Sequence, residues 1–367
     1  MKNTFGNSIT VTLFGESHGD FIGAVLDGLA PGIKIDGEYI KERLAKRRPS
    51  GRISTSRVEA DEYKIVSGAY RGFTTGTPLC ILIPNTNKKS ADYDSIKAIP
   101  RPGHADYTAE CKYHGFQDPR GGGHFSGRIT AALVAAGAIL EYALEAKGIK
   151  IGTHVSSLHG IGERGIRDVS DVELLAKRSF PTLTEEAETY MRRAAEAAAE
   201  VGDSVGGILE TLVCGVPSGV GEPWFDTVES MLSHALFAIP AVKGVEFGLG
   251  FTLAEKFGSE ANDPLRISNG KVVTETNNNG GINGGITNGM PILFRCAVKP
   301  TPSIYKEQKS VDLLTLENTT LSIEGRHDPC IVQRAAAVVD AVTAIVIADL
   351  LATRFGTDYL TSDKKIK

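Results

Sequence analysis

Three short segments, far apart in the chain, each hold a histidine next to glycine or proline. They read GESHG (residues 15–19), RPGHAD (101–106) and GRHDP (325–329). Glycine and proline restrict or shape the backbone of such turns, and an imidazole held there can donate or accept a proton near neutral pH. A lone histidine is more often structural than catalytic. The repetition of one pattern nevertheless predicts that the three segments form one site.

Two acidic residues accompany these histidines. Asp106 is close enough in sequence to His104 to orient its imidazole, which makes His104 a candidate general acid. Asp328 directly precedes Pro329 and a long apolar segment, so two interpretations stay open for it. It is either a helix cap, with Pro329 at the first helical position, or a residue of the site.

Arginines are the second chemical theme of the sequence. A loop at residues 49–51 (PSG) interrupts a run of them, so that their guanidinium groups can converge on a phosphate or a carboxylate. The alternative is a solvated face, which is what such a run usually is. With two arginines from later in the chain, the run predicts a strongly anionic small ligand; the residues are Arg43, Arg47, Arg48, Arg52, Arg57, Arg128 and Arg326.

Two loops in the second half of the chain suit a phosphate or a flat cofactor. The segment NNNGGINGGITNGMP (residues 277–291) is rich in glycine, which lets a ligand approach the main chain closely. A flexible linker is the alternative, but predicted strands flank the segment on both sides. The segment KPTPS (residues 299–303) adds a lysine and two hydroxyls on a loop stiffened by proline. These groups suit a phosphate tail.

The composition argues against several classes of protein. With 367 residues, 41% of them hydrophobic, the chain can bury a substantial core, and its formal charge of -4 makes neither nucleic acid nor an anionic membrane an expected partner. The five cysteines form no C-x-x-C pair, which predicts reduced, mostly buried thiols rather than disulfides or a zinc site. Neither a Walker A motif nor a dinucleotide-binding glycine motif is present. The N-terminal residues do not resemble a secretory signal, which predicts a cytoplasmic location.

The hydrophobic pattern predicts both strands and helices between these loops. Strands are expected at residues 8–14, 24–29, 62–67, 79–83, 205–213, 271–276 and 291–298. Helices are expected from the cap Asp36 to residue 47, at 129–147, at 185–201 with Thr182 starting a capping box, and at 331–352.

Two of the predicted helices, at 129–147 and 331–352, are rich in alanine and are expected to pack against each other at the centre. The apolar run at 335–348 is shorter than the roughly 18 residues of a membrane span, which favours a buried core helix. A faint echo between GAVLDGLAPG (residues 23–32) and CGVPSGVGEP (214–223) suits an internal duplication. No low-complexity linker divides the chain, so we expect one α+β domain over residues 1–367.

Taken together, these motifs resemble those of the chorismate synthase family, in the family's order and over nearly the whole chain. Their joint occurrence by chance is negligible, although no single motif decides the matter. The segments that carry the resemblance are FGESHG (14–19), RRP (47–49), RPGHAD (101–106), VKGVEFG (242–248), NGGI (279–282), KPT (299–301) and GRHDPC (325–330).

The resemblance implies a fold, a reaction and an assembly. The fold would be an α+β sandwich, with central alanine-rich helices covered by antiparallel sheets and an internal pseudo-duplication. The reaction would be the anti 1,4-elimination of phosphate from 5-enolpyruvylshikimate 3-phosphate to give chorismate. It would require reduced FMN, which in the family is thought to lend an electron and recover it, without net redox change. The family is tetrameric, and an external flavin reductase is the expected partner.

The resemblance also implies roles for individual residues and no metal. His18 would protonate the departing phosphate, His104 would serve the reduced flavin, and Asp328 would be the base acting near flavin N5. The substrate-binding residues would be Arg47, Arg48, Arg52, Arg128 and Arg326. The cofactor-binding residues would be His124, Ser126, Pro240, Ala241, Gly284, Lys299, Pro300, Thr301, Pro302, Ser303 and Arg326.

One segment departs from the family pattern. After the triple glycine many members read RSSARET, whereas this chain reads HFSGRIT (residues 124–130), so an arginine is replaced by His124 and a glutamate by Ile129. We expect His124 to retain a partial positive role near the flavin. Two other functions remain as alternatives: an NADPH-dependent flavin reductase, for which no specific nicotinamide motif is present, and a noncatalytic binder of anionic metabolites.

Overall fold

The computed structural model describes residues 2–49, 51, 53–54, 60–86, 98–323 and 327–361. Three of the arginines considered above, Arg52, Arg57 and Arg326, lie outside the described residues.

Helices and strands are both distributed over the whole described chain. The α-helices are α1 (Gly37–Arg47), α2 (Asp106–Tyr113), α3 (Thr130–Ala146), α4 (Val169–Lys177), α5 (Glu185–Glu200), α6 (Val228–Leu236), α7 (Gly258–Ala261) and α8 (Val332–Phe355). The strands are β1 (Thr4–Phe5), β2 (Thr10–Gly15), β3 (Phe21–Asp27), β4 (Lys64–Ser67), β5 (Ala69–Tyr70), β6 (Phe73–Thr74), β7 (Leu79–Pro84), β8 (Lys150–Leu158), β9 (Ile161–Gly162), β10 (Gly207–Cys214), β11 (Val242–Phe247), β12 (Leu265–Ser268), β13 (Lys271–Thr274), β14 (Ile282–Asn283), β15 (Ile286–Thr287), β16 (Ile292–Val298), β17 (Gln308–Asp312) and β18 (Glu317–Leu321).

Two five-stranded antiparallel sheets cover the central helices. Their strand orders are β1-β2-β3-β7-β4 and β11-β16-β10-β8-β9. In β7 and β16 every second residue is buried, as expected for an antiparallel strand with one face on the core. Helix α3 packs on β3 and β7, and α8 packs on β8 and β10. The predicted α+β sandwich is therefore confirmed.

The two sheets have the same topology. In the first, the order β2-β3-β7-β4 has α1 between β3 and β4 in sequence; in the second, β8-β10-β16-β11 has α6 between β10 and β11. Gly28 and Gly215 end β3 and β10 alike, both at positive φ, where a Cβ would fall 2.0 Å from Ser8 O and 2.3 Å from Gly148 O. These matching turns account for the sequence echo and confirm the internal pseudo-duplication.

The central helices α3 and α8 pack closely because small residues face each other. A Cβ on Gly137 would lie 2.5 Å from Cβ of Ala341, so only glycine permits this approach. Both helices are long and apolar enough to cross a membrane by length and composition, but the apolar window of α8 is wholly buried in the protein and that of α3 mostly so. The apolar run at 335–348 is thus part of the core, as predicted.

Helices α5 and α8 begin within one residue of the predicted positions, but Thr182 does not cap α5 and Asp328 does not cap α8. Helix α5 is capped by Thr184, whose hydroxyl accepts from Ala187 N at 3.2 Å, and not by Thr182. The carboxylate of Glu163 accepts from the N–H groups of Leu183 and Thr184, which keeps the chain extended up to the true cap.

Helix α8 has Ile331 at the N-cap position, and no side chain caps it, so Pro329 is not its first residue. Cys330 forms an isolated parallel bridge with Val205, and Val205 N donates to Pro329 O at 2.9 Å. The chain is therefore extended through Cys330, which excludes Pro329 from the helix and Asp328 from its cap.

The cysteines are free thiols, but fewer are buried than predicted. Cys296 and Cys330 are buried and their pKa values are raised by that burial, whereas Cys80 and Cys214 are half-buried and Cys111 is exposed.

The glycine- and asparagine-rich segment 277–291 is an ordered loop that contains the β14–β15 hairpin. The Asp263 carboxylate accepts from Asn278 N at 2.7 Å and from Asn279 N at 2.9 Å. At Gly280 a Cβ would fall 2.6 Å from Gly248 N. These contacts rule out the flexible-linker interpretation.

Candidate active site

The N-termini of the two central helices meet at Arg47, the last residue of α1. Arg47 Nε donates to the hydroxyl of Thr130, the first residue of α3, at 2.9 Å. From the other helix, Arg334 Nε donates to Arg47 O at 2.8 Å. A helix N-terminus carries partial positive charge and unpaired N–H groups. Two of them beside buried arginines create a strongly electropositive region.

A buried carboxylate holds these arginines together. The Asp61 side chain is fully buried and binds Arg128 Nη1 through one oxygen. Its other oxygen lies 3.2 Å from Arg47 Nη1 and 3.5 Å from Arg48 Nε. Asp61 adopts φ 48°, a left-handed conformation that is uncommon outside glycine. Among the residues that the structure describes, this one carboxylate faces three guanidinium groups.

Arg43, one turn earlier on α1, does not belong to this cluster. Its guanidinium binds Glu141 of α3 and, at 2.8 Å, Asp340 of α8. Burial lowers the pKa of Arg43, but the two carboxylates outweigh that effect and raise it. A separate cavity of about 210 Å³ lies around this group. Because Arg43 is paired with two carboxylates, it fastens α1 to both central helices rather than offering a site for an anion.

The turn that carries His18 is held by hydrogen bonds from outside it. His124 Nδ1 donates to Gly15 O at 2.7 Å, and Ser17 N donates to Gly123 O at 3.0 Å. Asn85 Nδ2 donates to Glu16 O at 3.0 Å and to Gly19 O at 2.9 Å. His18 itself is only 3% exposed. The imidazole is therefore fixed rather than mobile.

A run of three glycines, Gly121 to Gly123, separates His18 from His104. All three have positive φ. A Cβ on Gly121 would lie 2.2 Å from Cε1 of His18, and one on Gly122 would lie 3.4 Å from Nε2 of His104. Both rings thus pack on the same glycine backbone, which only glycine allows.

His104 is oriented as predicted. Its Nδ1 lies 2.6 Å from Oδ1 of Asp106, whose carboxylate also binds Arg101 at 2.7 and 2.8 Å. Burial would raise the pKa of Asp106, but the hydrogen bonds from Arg101 and His104 lower it well below its usual range. The ionised carboxylate accepts from Nδ1 of His104, which leaves Nε2 facing the glycine run.

The KPTPS loop and Asp328 complete the arrangement. Lys299 Nζ donates to Gly103 O, beside His104, and the Thr301 hydroxyl donates to Asp328 O at 2.7 Å. The Asp328 carboxylate lies 2.8 Å from Nη1 of Arg334. Asp328 is thus a residue of this cluster, linked through Arg334 to Arg47.

His327, next to Asp328, lies in the same region. Its ring packs against Tyr305 with centroids 5.3 Å apart. Burial and the nearby Arg101 lower the pKa of His327. The ring therefore favours its neutral form.

The structure brings most of the predicted site residues into one continuous set of contacts. Ser126 accepts from Arg128 N at 3.3 Å, and Ala241 O, next to Pro240, accepts from Lys299 N at 2.9 Å. Pro302 lies by Gly103, and Pro300 and Ser303 flank it on the same loop. Gly284 is not brought in: it lies in the β14–β15 hairpin, at the end of β16 opposite Lys299. Arg52 and Arg326 lie outside the described residues.

The cluster therefore combines buried arginines, two helix N-termini, a lysine and two oriented histidines. Such a set can bind a small molecule with several negative charges and stabilise charge that develops on a leaving group. A model of the chorismate synthase family matches residues 9–352 of the chain. The chain belongs to the chorismate synthase family.

Individual relatives agree with the family match. The chain is 48% identical over 349 residues to the chorismate synthase of Thermococcus kodakarensis, covering 95% of this chain and 97% of that one. It is 46% identical over 362 residues to that of Dehalococcoides mccartyi. A solved structure described as "Crystal Structure of Chorismate Synthase" superposes with a TM-score of 0.74 at 29% identity, covering 96% of this chain and 94% of that one.

Membership of this family makes the chain a carbon–oxygen lyase of the shikimate pathway. The family's reaction is the anti 1,4-elimination of phosphate from 5-enolpyruvylshikimate 3-phosphate, which gives chorismate and depends on a reduced flavin without net redox change.

Sequence reasoning missed three residues of the cluster: Asp61, Asn85 and Arg334. Each makes its key contacts with residues distant in sequence, and none stands in a motif with glycine or histidine. The one available signal was at Arg334, a charge at the start of a mostly apolar helix. Such a charge is rarely buried unless it is paired.

Proposed function

We propose that the cluster around Arg47, His18 and His104 is where this chain eliminates phosphate from 5-enolpyruvylshikimate 3-phosphate. The observation that carries the proposal is the meeting of two helix N-termini at buried arginines, beside a fixed histidine. The substrate has two carboxylates and a phosphate, so it needs several cationic partners in one place. A site with this charge favours the substrate and also the phosphate that leaves it.

The arginines bind and orient the substrate anions. Arg47, Arg48 and Arg128 are the described members of this set, and Arg52 and Arg326 are assigned to it by family resemblance. The fixed planar fork of a guanidinium suits bidentate contacts with carboxylate or phosphate oxygens. Asp61 holds Arg47 and Arg128 in place before the substrate arrives. This pre-organisation reduces the cost of ordering them on binding.

His18 is the proposed acid that protonates the departing phosphate. Its ring is almost wholly buried and packs on Gly121, so its proton is delivered from a fixed position. General acids at such positions contribute typically about 10²- to 10⁴-fold to rate.

His104 and Asp328 complete the proposed proton chemistry. The Asp106 carboxylate holds His104 Nδ1, which leaves Nε2 to serve the reduced flavin. Asp328 is the proposed base near flavin N5, and Arg334 holds one of its oxygens at 2.8 Å. A base held by an arginine keeps its position, while its second oxygen can accept a proton.

The donor set around the KPTPS loop fits FMN. Lys299 and the hydroxyls of Ser126 and Ser303 can hold its phosphate, and Pro300 and Pro302 stiffen the loop of Lys299 and Ser303. Thr301, whose hydroxyl donates to Asp328 O, is assigned to the cofactor by resemblance. Reduced FMN held by these residues would supply the transient electron that the family's reaction requires. Pro240, Ala241, His124 and Arg326 are assigned to this cofactor by resemblance. The resemblance assigns Gly284 as well, although the single chain does not bring Gly284 to the KPTPS loop. His124 uses Nδ1 for Gly15 O, so any contact with the flavin would come from the rest of its ring.

The enzyme is proposed to be a cytoplasmic homotetramer that receives its flavin reduced by an external reductase. Large apolar side chains that are exposed in the single chain support subunit contacts; they include Trp224, Phe225, Phe251, Phe257, Leu265 and Ile267. Self-reduction of the flavin by NADPH is the alternative. An assay of flavin reduction by NADPH, with no reductase added, distinguishes the two: no reduction is expected.

Substitution of His18 tests catalysis against mere binding. In His18→Ala we expect the substrate to bind with little change, measured by calorimetry, while turnover falls on the order of 100-fold or more. Unchanged turnover would contradict the assignment of the acid. A noncatalytic binder, in contrast, would bind the substrate in the wild type and release no phosphate.

A further inference from the structure

The Asn85 side chain joins the arginine cluster to the turn that holds His18. Its Oδ1 accepts from Arg128 Nε at 3.0 Å, and its Nδ2 donates to Glu16 O at 3.0 Å and to Gly19 O at 2.9 Å. The Asn85 main-chain N–H donates to Asp20 O at 3.0 Å. The amide therefore spans both ends of the turn while it also holds an arginine.

No other residue type provides this set of bonds in the same volume. An asparagine amide has an acceptor oxygen and a nitrogen with two protons, and all of these face protein partners here. Aspartate has the same shape but only acceptors, so it would keep the bond from Arg128 and face two carbonyl oxygens with no proton to donate. The two functions of the amide can thus be separated by a single isosteric substitution.

We propose that Asn85 is a positioning residue that sets His18 at a fixed distance from the anion held by Arg128. This inference rests on the proposed function of His18 as the acid. When the substrate phosphate lies among the arginines, the acid must stand within hydrogen-bond reach of the oxygen that departs. The Asn85 amide is a direct, one-residue connection between the two groups, and it defines that geometry before the substrate binds.

The two arms of the amide predict different kinetic effects. In Asn85→Asp the bond to Arg128 remains, but the added carboxylate opposes the substrate anions, so KM should rise. Loss of the bonds to the turn should in addition lower kcat on the order of 100-fold, and this loss of kcat is the readout of positioning. In Asn85→Ala both arms are lost, so KM should rise and kcat should fall. Asn269→Asp is the matched control, because Asn269 is exposed in the turn between β12 and β13 and makes the same change of charge away from the cluster.

A double substitution separates positioning from general damage. If Asn85 acts through His18, His18→Ala with Asn85→Asp should turn over no more slowly than His18→Ala alone, because the acid to be positioned is gone. A loss in the double variant equal to the product of the single losses would overturn the proposal. Wild-type kcat in Asn85→Asp would overturn it as well. Thermal unfolding of each variant establishes that it is folded, and Asn85→Ala provides the test if Asn85→Asp is not.

The same experiment distinguishes failure of this inference from failure of the proposed function. Turnover by the wild type and by Asn269→Asp establishes the elimination reaction independently of Asn85. Absence of turnover in both would contradict the proposed function itself.

Discussion

Gly121 offers a direct test of how tightly the His18 ring is held. In Gly121→Ala the new Cβ would lie 2.2 Å from Cε1 and 2.4 Å from Nδ1 of His18. Non-bonded carbon atoms prefer about 3.5 Å or more, so the ring would have to retreat by roughly 1 Å. A displacement of that size can cost on the order of 100-fold in rate, which is the loss of kcat that we expect.

The same substitution also strains the backbone, and controls separate the two effects. Gly121 has φ 59°, where a side chain costs about 1–2 kcal/mol. Gly270→Ala carries a similar strain at φ 73°, but a Cβ there meets no atom within 4 Å. It should therefore lose stability and keep wild-type kcat. Gly127→Ala, near the site but also with nothing within 4 Å and without positive φ, should change neither.

The assay is steady-state chorismate formation with supplied reduced FMN, together with urea unfolding of each variant. Gly121→Ala should lose kcat far beyond what its loss of stability explains. If Gly121→Ala keeps kcat within about threefold of wild type, the His18 ring is either free to move or not the acid, and the reasoning is refuted.

Three further predictions concern stability. Asp61→Asn should lower the free energy of unfolding by about 3–5 kcal/mol, because it leaves buried guanidinium groups uncompensated, and inorganic phosphate should raise its Tm more than that of the wild type. Gly137→Ala should destabilise by about 1–3 kcal/mol in urea unfolding despite a better helix propensity, since its Cβ would lie 2.6 Å from Ala341 O. Burial lowers the pKa of His154, but hydrogen bonds to Glu163 and Glu210 outweigh it and raise the pKa, so the stability that His154 contributes is full below about pH 6.5 and is lost as pH rises through the folded pKa. His154→Gln should flatten that dependence; an unchanged pH profile of unfolding would contradict it.

Much of the fold could be predicted from local patterns. Short apolar runs predicted strands such as β7 and β16. The cap Asp36 predicted the start of α1, where its carboxylate accepts from Glu38 N and Tyr39 N. The weak sequence similarity between residues 23–32 and 214–223 also predicted the internal duplication. A turn that only glycine permits, at Gly28 and Gly215, recurs in both sheets.

Other features depended on long-range contacts that no local pattern contains. For Asp328 the sequence left two interpretations open, a helix cap or a site residue. Pairing of Cys330 with Val205 excludes the cap, and the carboxylate binds Arg334. Arg43 looked like part of an anion site, but two carboxylates from different helices neutralise it.

The histidines and arginines of the site were predicted from their residue types, but the residues that position them were not predicted. Histidines and arginines next to glycine and proline indicate chemistry because the backbone around them is special. Asp61 and Asn85 stand in ordinary sequence, and their importance comes from the groups that tertiary folding brings to them. Such residues can be identified only from the buried hydrogen bonds of the folded chain.

The most direct test of the central claim is an anaerobic reaction of the protein with chemically reduced FMN and 5-enolpyruvylshikimate 3-phosphate, with no nicotinamide present. Chorismate absorbance and phosphate release are followed together. We predict that both products appear in equal amounts and that supplied reduced flavin suffices. Binding of the substrate without release of either product would contradict the account.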